Sequence, residues 1–216
     1  MAGDLDGRAA IVTGAGQGIG RAVALALAAA GARVVVNDIG RGEDGRPTAE
    51  RVVAEIEDSG GHAVASLESV TDFEAAGRIV ATALECFGSA DILINNAGIA
   101  ARGSILEVDA AEFARVARVH IEGSFNCTRH VVEPMVERRW GRIVNLVSRA
   151  GITGMPGTIA YAVGKGAVLG LINGASRELG EHGITVNGVC PSSTRTEMVE
   201  SAIETVRQGD AAAQAR

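Results

Sequence analysis

The 216-residue chain is 47% hydrophobic and 21% charged with a net charge of −6, which fits one globular domain and gives no electrostatic reason to expect nucleic acid or an anionic membrane as partner. Its longest apolar run, residues 22–30, is too short to span a bilayer, and its first residues lack the basic and apolar segments of a secretory signal. Cys86, Cys127 and Cys190 are odd in number and widely spaced, and with the four histidines they make no metal-ligand spacing, so neither a disulfide framework nor a metal is expected and a cytoplasmic location is.

Short β-branched runs alternate with longer helical patterns along the chain. The first strand is expected at 9–13, followed by the stretch TGAGQGIG at 13–20 and a helix over 18–30. Strands at 33–37 and 62–66 flank a helix over 47–59, and a helix over 72–87 leads to a strand at 91–95. A long helix over 112–138, a strand at 142–147, a helix over 158–180 and a strand at 185–189 complete the pattern. Most of these strands are apolar nearly throughout, as parallel strands covered on both faces must be. Gly31, Gly60, Gly88, Gly141 and Gly183 stand where helices should end, as C-terminal caps. Strict alternation implies right-handed βαβ units in one doubly wound parallel α/β sheet, a Rossmann arrangement forming a single domain.

The four glycines of TGAGQGIG are conformationally costly. Between a strand and a helix they let phosphates approach backbone N–H groups at the positive end of the helix dipole, although a tight turn that binds nothing has the same spelling. Asp38 ends the second strand twenty residues after Gly18, the distance at which an acidic side chain accepts the hydroxyls of an adenosine ribose; by itself it also reads as a loop cap. Together with the βαβ rhythm the pair favours a dinucleotide, and a carboxylate there repels the 2′-phosphate that distinguishes NADP from NAD. Arg41 and Arg46 in the following loop keep NADP as the less favoured cofactor. Further on, Ser148 closes a strand at its carboxyl end, where ligands bind, and Tyr161 and Lys165 share one helix face at a spacing of four.

The motifs Thr13-Gly14-x3-Gly18-x-Gly20, Asn95-Asn96-Ala97-Gly98, Ser148, Tyr161-x3-Lys165 and Pro191 with Thr196 resemble those of the short-chain dehydrogenase/reductase family from about residue 6 to 199. Residues 36–40, 69–72 and 119–125 look like the (3R)-hydroxyacyl-CoA dehydrogenase branch of multifunctional enzymes. The resemblance implies hydride transfer between NAD and a secondary alcohol, a 3-hydroxyacyl thioester among the candidates. Tyr161 would carry the proton, Ser148 would hydrogen-bond the reacting oxygen, and Lys165 would hold the nicotinamide ribose and, together with the oxidised nicotinamide, push the phenol below its ordinary value of about 10. Gly14, Gln17, Gly18, Ile19 and Gly20 would cradle the dinucleotide, Ser69 and Val70 would stand near its adenine, Asn96, Ala97 and Gly98 would line it, and Pro191 and Thr196 would meet its nicotinamide end.

The chain departs from that pattern in places. His120 stands where most members place an Asn that supports a proton relay, an imidazole being able to carry protons near neutral pH or simply to pack. Ser69 replaces an Asp, and Ser192 replaces a Gly. The chain stops at Arg216 without the usual further strand, so the sixth strand is expected to be a bare sheet edge and the segment after Met198 a mobile lid. Other readings are an NADPH-dependent reductase of 3-oxoacyl thioesters or ketones, and a non-catalytic dinucleotide-binding protein. A homodimer or homotetramer is also implied, pairing through the outer faces of helices 112–138 and 158–180, with Val116, Phe125 and Val168 sheltered if they point outward.

Overall fold

The computed structural model describes residues 3–100, 102–192 and 194. Its strands are β1 (Ala9–Thr13), β2 (Arg33–Asn37), β3 (His62–Ser66), β4 (Ile92–Asn95), β5 (Gly141–Leu146) and β6 (Ile184–Val189). All are parallel in one sheet of order β3-β2-β1-β4-β5-β6, the doubly wound order in which the connections reverse between β1 and β4. The helices are α1 (Gly18–Ala29), α2 (Thr48–Asp58), α3 (Phe73–Phe87), α4 (Ala110–Ala117), α5 (Gly123–Arg138), α6 (Arg149–Thr153) and α7 (Ile159–Leu179).

Alternate residues of the strands feed opposite layers. Ile11, Val35, Leu93 and Ile143 pack with Ile79 of α3 and Val131 and Met135 of α5. Ala10, Val12, Val34 and Val36 pack with Ala24 of α1 and Val52 and Ile56 of α2. Every residue of β1 is buried, which is why it reads as continuous apolar sequence rather than alternation. Truncating a side chain such as Ile11 to alanine removes roughly 2–5 kcal/mol from such a core.

Strands β1, β2 and β3 have the bounds expected from the sequence. Strand β4 begins one residue later than expected, because Asp91 turns its carboxylate back to accept from Ala9 N (2.9 Å) and Ser89 Oγ (2.6 Å). The expected helix 112–138 starts earlier, where Asp109 Oδ1 accepts from Glu112 N at 2.7 Å, and is interrupted by a π-helical turn at Arg118–Glu122. Helix α6 lies where the sequence pattern predicts no helix; Ser148 caps it, its hydroxyl accepting from Ala150 N at 3.2 Å.

Gly141 is not a helix cap. Arg139, at φ 50°, ends α5, while Gly141 opens β5 because a Cβ there would lie 2.4 Å from Met135 Sδ. The other four glycines do take positive φ. Val116 and Val168 point inward, at 0% and 2% exposure, so of the three residues considered for a subunit face only Phe125, half exposed, faces solvent. Strand β6 is an edge of the sheet among the described residues. Thr196 and the segment after Met198 lie outside the described residues. Among the described residues no helix is long and apolar enough to cross a membrane.

Candidate active site

The crevice opens at the carboxyl ends of β1 and β4, where the sheet order reverses. Thr13 braces it: its hydroxyl donates to Ile94 O (3.3 Å) and accepts from Asn96 N and Ala97 N (both 3.1 Å). Asn96 Nδ2 donates to Thr13 O and Gly14 O, both at 2.9 Å, tying the glycine loop to the end of β4. The packing leaves no room for side chains. A Cβ at Gly14 would lie 2.8 Å from Ala97 Cα, and one at Gly20 would lie 2.2 Å from Gly14 O.

A cavity of about 320 Å3 lies against this loop, lined among others by Gly14, Gln17, Gly18, Ile19, Gly20, Asp38, Ser69, Val70, Asn96, Ala97 and Gly98. Helix α1 starts there at Gln17 without a side-chain cap, so its first N–H groups keep their capacity to donate to an anion. Asp38 accepts from Gly16 N at 2.8 Å and from Gly40 N at 2.7 Å, one bond to each carboxylate oxygen, which leaves lone pairs for further donors. Among the described lining residues there is no Lys or Arg. Arg41 donates to Gly45 O at 2.9 Å, and Arg46 pairs with Asp44 at 3.9 Å. The Ser69 hydroxyl is bonded to that of Thr71 at 2.9 Å. An uncapped helix end, a closely packed glycine loop and a strand-end carboxylate together fit a dinucleotide.

A second cavity, of about 510 Å3, shares Ile19, Asn96 and Gly98 with the first and is lined by His120, Ser148, Tyr161, Lys165 and Pro191. The carboxyl end of β5 supplies Ser148, and α7 supplies Tyr161 and Lys165. Lys165 is 95% buried, and its Nζ donates to Leu146 O while standing 5.9 Å from the Tyr161 ring centroid. Burial draws the Lys165 ammonium down to about 8. The Tyr161 phenol is pushed above its ordinary value, chiefly by burial; the Ser148 hydroxyl pulls it down, and Cys190 adds to the rise. In the protein without a dinucleotide, burial dominates the phenol and the Lys165 ammonium is directed at a backbone carbonyl, so the lowering expected from Lys165 and the nicotinamide together is not seen.

The π-helical turn carries His120 and sets it in the wall of the second cavity. The ring is 99% buried; its Nε2 lies 2.9 Å from Ile99 O, and its Nδ1 has no partner among the described residues. Burial first, and the Lys165 charge second, push the imidazole down to about 4, so it is neutral at pH 7. Proton carriage by an imidazolium near neutral pH is thus disfavoured, and Nδ1 remains as a fixed buried acceptor when Nε2–H donates to Ile99 O.

The sequence does not single out Gly164 or Arg149. Gly164 gives His120 its space, since a Cβ there would lie 3.0 Å from His120 Cβ. Spacing cannot reveal this, because the two residues meet only through the tertiary fold. Thr13 carried a local signal, being the first residue of the glycine motif. Arg149 follows Ser148 directly and lines the second cavity.

The family model for short chain dehydrogenases matches residues 8–207. The chain is 38% identical over 197 residues to a 3-oxoacyl-[acyl-carrier-protein] reductase of Synechocystis sp., covering 91% of this chain and 78% of that one. It is 40% identical over 211 residues to the peroxisomal multifunctional enzyme type 2 of Mus musculus, covering 94% of this chain but only 28% of that one. A crystal structure of a short chain dehydrogenase from Mycobacterium avium superposes with a TM-score of 0.85 at 44% identity, covering 88% of this chain and 69% of that one. With its sheet order, its glycine loop and a match over most of its length, the chain belongs to the short-chain dehydrogenase/reductase family, oxidoreductases acting on CH–OH groups.

Proposed function

We propose that the chain transfers hydride between NAD and a secondary alcohol of the 3-hydroxyacyl class, thioesters included, with Tyr161 as the acid/base. The observation that carries this reading is the convergence of Ser148, Tyr161 and Lys165 on one cavity that runs into the glycine-loop cavity. When bound, the oxidised dinucleotide would supply the hydride acceptor and a positive charge that favours the phenolate. Tyr161 takes the alcohol proton at its phenolic oxygen, and Ser148 donates to the same substrate oxygen as charge develops there. Lys165, drawn to about 8, offers its ammonium to the ribose hydroxyls. His120 acts by position, holding the wall beneath the phenol. Asp38 and the absence of a cation from the described lining of the first cavity favour NAD.

NADPH-dependent reduction of 3-oxoacyl thioesters is the second reading. Arg41 favours it, lining a neighbouring groove that meets the glycine loop at Gly16 and Gln17. Two or four copies would pair through the outer faces of α5 and α7, where Phe125 and Val163 are 50% and 41% exposed.

The test is absorbance at 340 nm with NAD and NADP over a panel of secondary alcohols and hydroxyacyl-CoA compounds, for wild type and Tyr161→Phe. Wild type should turn over with NAD. Tyr161→Phe should lose more than nine-tenths of kcat while binding the dinucleotide as before; retention of a tenth of kcat or more would overturn the assignment of the proton carrier.

A further inference from the structure

Arg149 occupies a position that hydride transfer alone does not explain. It follows Ser148 at the carboxyl end of β5, lines the second cavity and is exposed. Among the described residues that line this cavity there is no Asp or Glu; its two full cations are Arg149 and Lys165. Lys165 is engaged with Leu146 O. The Arg149 guanidinium, like those of Arg102, Arg129 and Arg177, has no hydrogen bond, ion pair or ring partner among the described residues, and of these four only Arg149 lines the second cavity. In a chain of net charge −6, an unpaired guanidinium in a cavity wall without acids is a local excess of positive charge. It also lies outside the wall shared with the glycine-loop cavity, which is formed by Ile19, Asn96 and Gly98.

We infer that Arg149 is a specificity-determining residue that receives a carboxylate of the substrate, so that the preferred substrate is a short hydroxy acid or keto acid in its free anionic form. This rests on the proposed dehydrogenase reading and deepens it. Arg149 and Ser148 line the same cavity and their Cα atoms are about 3.8 Å apart, so a guanidinium turned toward the Ser148 hydroxyl lies within one side-chain length of it. An anion held there is only a few bonds from the carbinol carbon. The C1 carboxylate of a 3-hydroxy acid satisfies that distance and matches the planar two-donor edge of a guanidinium. The phosphates of a thioester carrier lie beyond a long pantetheine arm and do not.

Calorimetric titration of the protein with NADH and either acetoacetate or its uncharged methyl ester reads the preference without requiring turnover. Wild type should bind the acid roughly tenfold to a hundredfold more tightly than the ester, and Arg149→Met should bring the ratio to near one. Acetoacetyl-CoA forms a third arm. Equal affinities for acid and ester in wild type, or a ratio that survives in Arg149→Met, would overturn the proposal. So would an Arg149-dependent affinity confined to acetoacetyl-CoA, which would assign the guanidinium to carrier phosphates. Parallel assays of 3-hydroxybutyrate oxidation separate the two claims: absence of turnover with an intact binding ratio would sink the dehydrogenase reading and leave the anion site standing.

Discussion

The His120 imidazole stands edge-on to the Tyr161 phenol, with ring centroids 5.3 Å apart and planes at 88°. This T-shaped contact matches the electron-poor edge of one ring to the electron-rich face of another. It fixes the proposed proton carrier against a ring that is itself held by the Ile99 backbone. Gly98 and Gly164 make the space for it. A Cβ at Gly98 would come within 2.7 Å of His120 Cε1.

Gly98→Ala should therefore lower kcat by displacing the imidazole and, with it, Tyr161. In the double variant Gly98→Ala/His120→Asn the smaller side chain should restore part of that loss, with a coupling of about 1–3 kcal/mol between the sites. Steady-state kinetics on the four forms measure it. With the imidazole drawn down to about 4, His120→Asn by itself should leave the limbs of the kcat profile between pH 6 and 8 unmoved. Disappearance of a limb in that window would show that the imidazole titrates during turnover.

Lys165 sets stability against chemistry. Its value falls from 10.5 to about 8 on folding, so at pH 7 the native state holds a charge that burial disfavours. Stability from this group is complete above the unfolded value of 10.5 and is lost as pH falls through 8. The drop corresponds to on the order of 3 kcal/mol at about 1.4 kcal/mol per pH unit. Lys165→Met should raise Tm at pH 7, with the gain over wild type shrinking as pH rises from 8 toward 10.5, and should abolish turnover. Thermal melts of both proteins across that range check the sign.

Asp38 holds the loop as well as facing the cavity. Since Gly16 N and Gly40 N both donate to it, Asp38→Ala should weaken NAD binding about tenfold, narrow the gap between NAD and NADP, and also lower Tm. Fluorescence titration and melting of the same variant separate the two effects. A loss of affinity with unchanged Tm would assign Asp38 to the ribose alone.

Asp91 lies at the amino end of β4, at the opposite end of the sheet from the site. Burial pushes its carboxyl up, but the Ser89 hydroxyl, Ala9 N and the Arg138 and Arg8 guanidiniums together hold it below its ordinary value. The stabilisation is present above the unfolded value near 3.8 and is lost as pH falls through the lower folded one. Asp91→Ala should cost about 1–3 kcal/mol at pH 7, chiefly by leaving Ala9 N and Ser89 Oγ without their acceptor, with a deficit that shrinks below pH 3.8, while kcat changes little. Denaturant melts at pH 7 and pH 3 read the difference.

The sequence by itself determined the parts of this protein that rest on local pattern. Buried parallel strands must be apolar along their whole length, so Ala9–Thr13 and Arg33–Asn37 were legible as strands to the residue. A spacing of four put Tyr161 and Lys165 on one helix face before any fold was known, and the glycine stretch marked the crevice. Tertiary structure decided what depends on neighbours far apart in the chain. It interrupted the long helix with a π-helical turn at His120, used Gly141 to accommodate Met135 rather than to cap a helix, and turned Val116 and Val168 inward. It also decided the charges: burial raised Tyr161, lowered Lys165 and kept His120 neutral, and Leu146 O rather than the phenol received the Lys165 ammonium. Periodicity reports which face of an element a side chain occupies, whereas its protonation depends on the water it loses and the charges it meets, and those are set by residues that only the folded chain brings together.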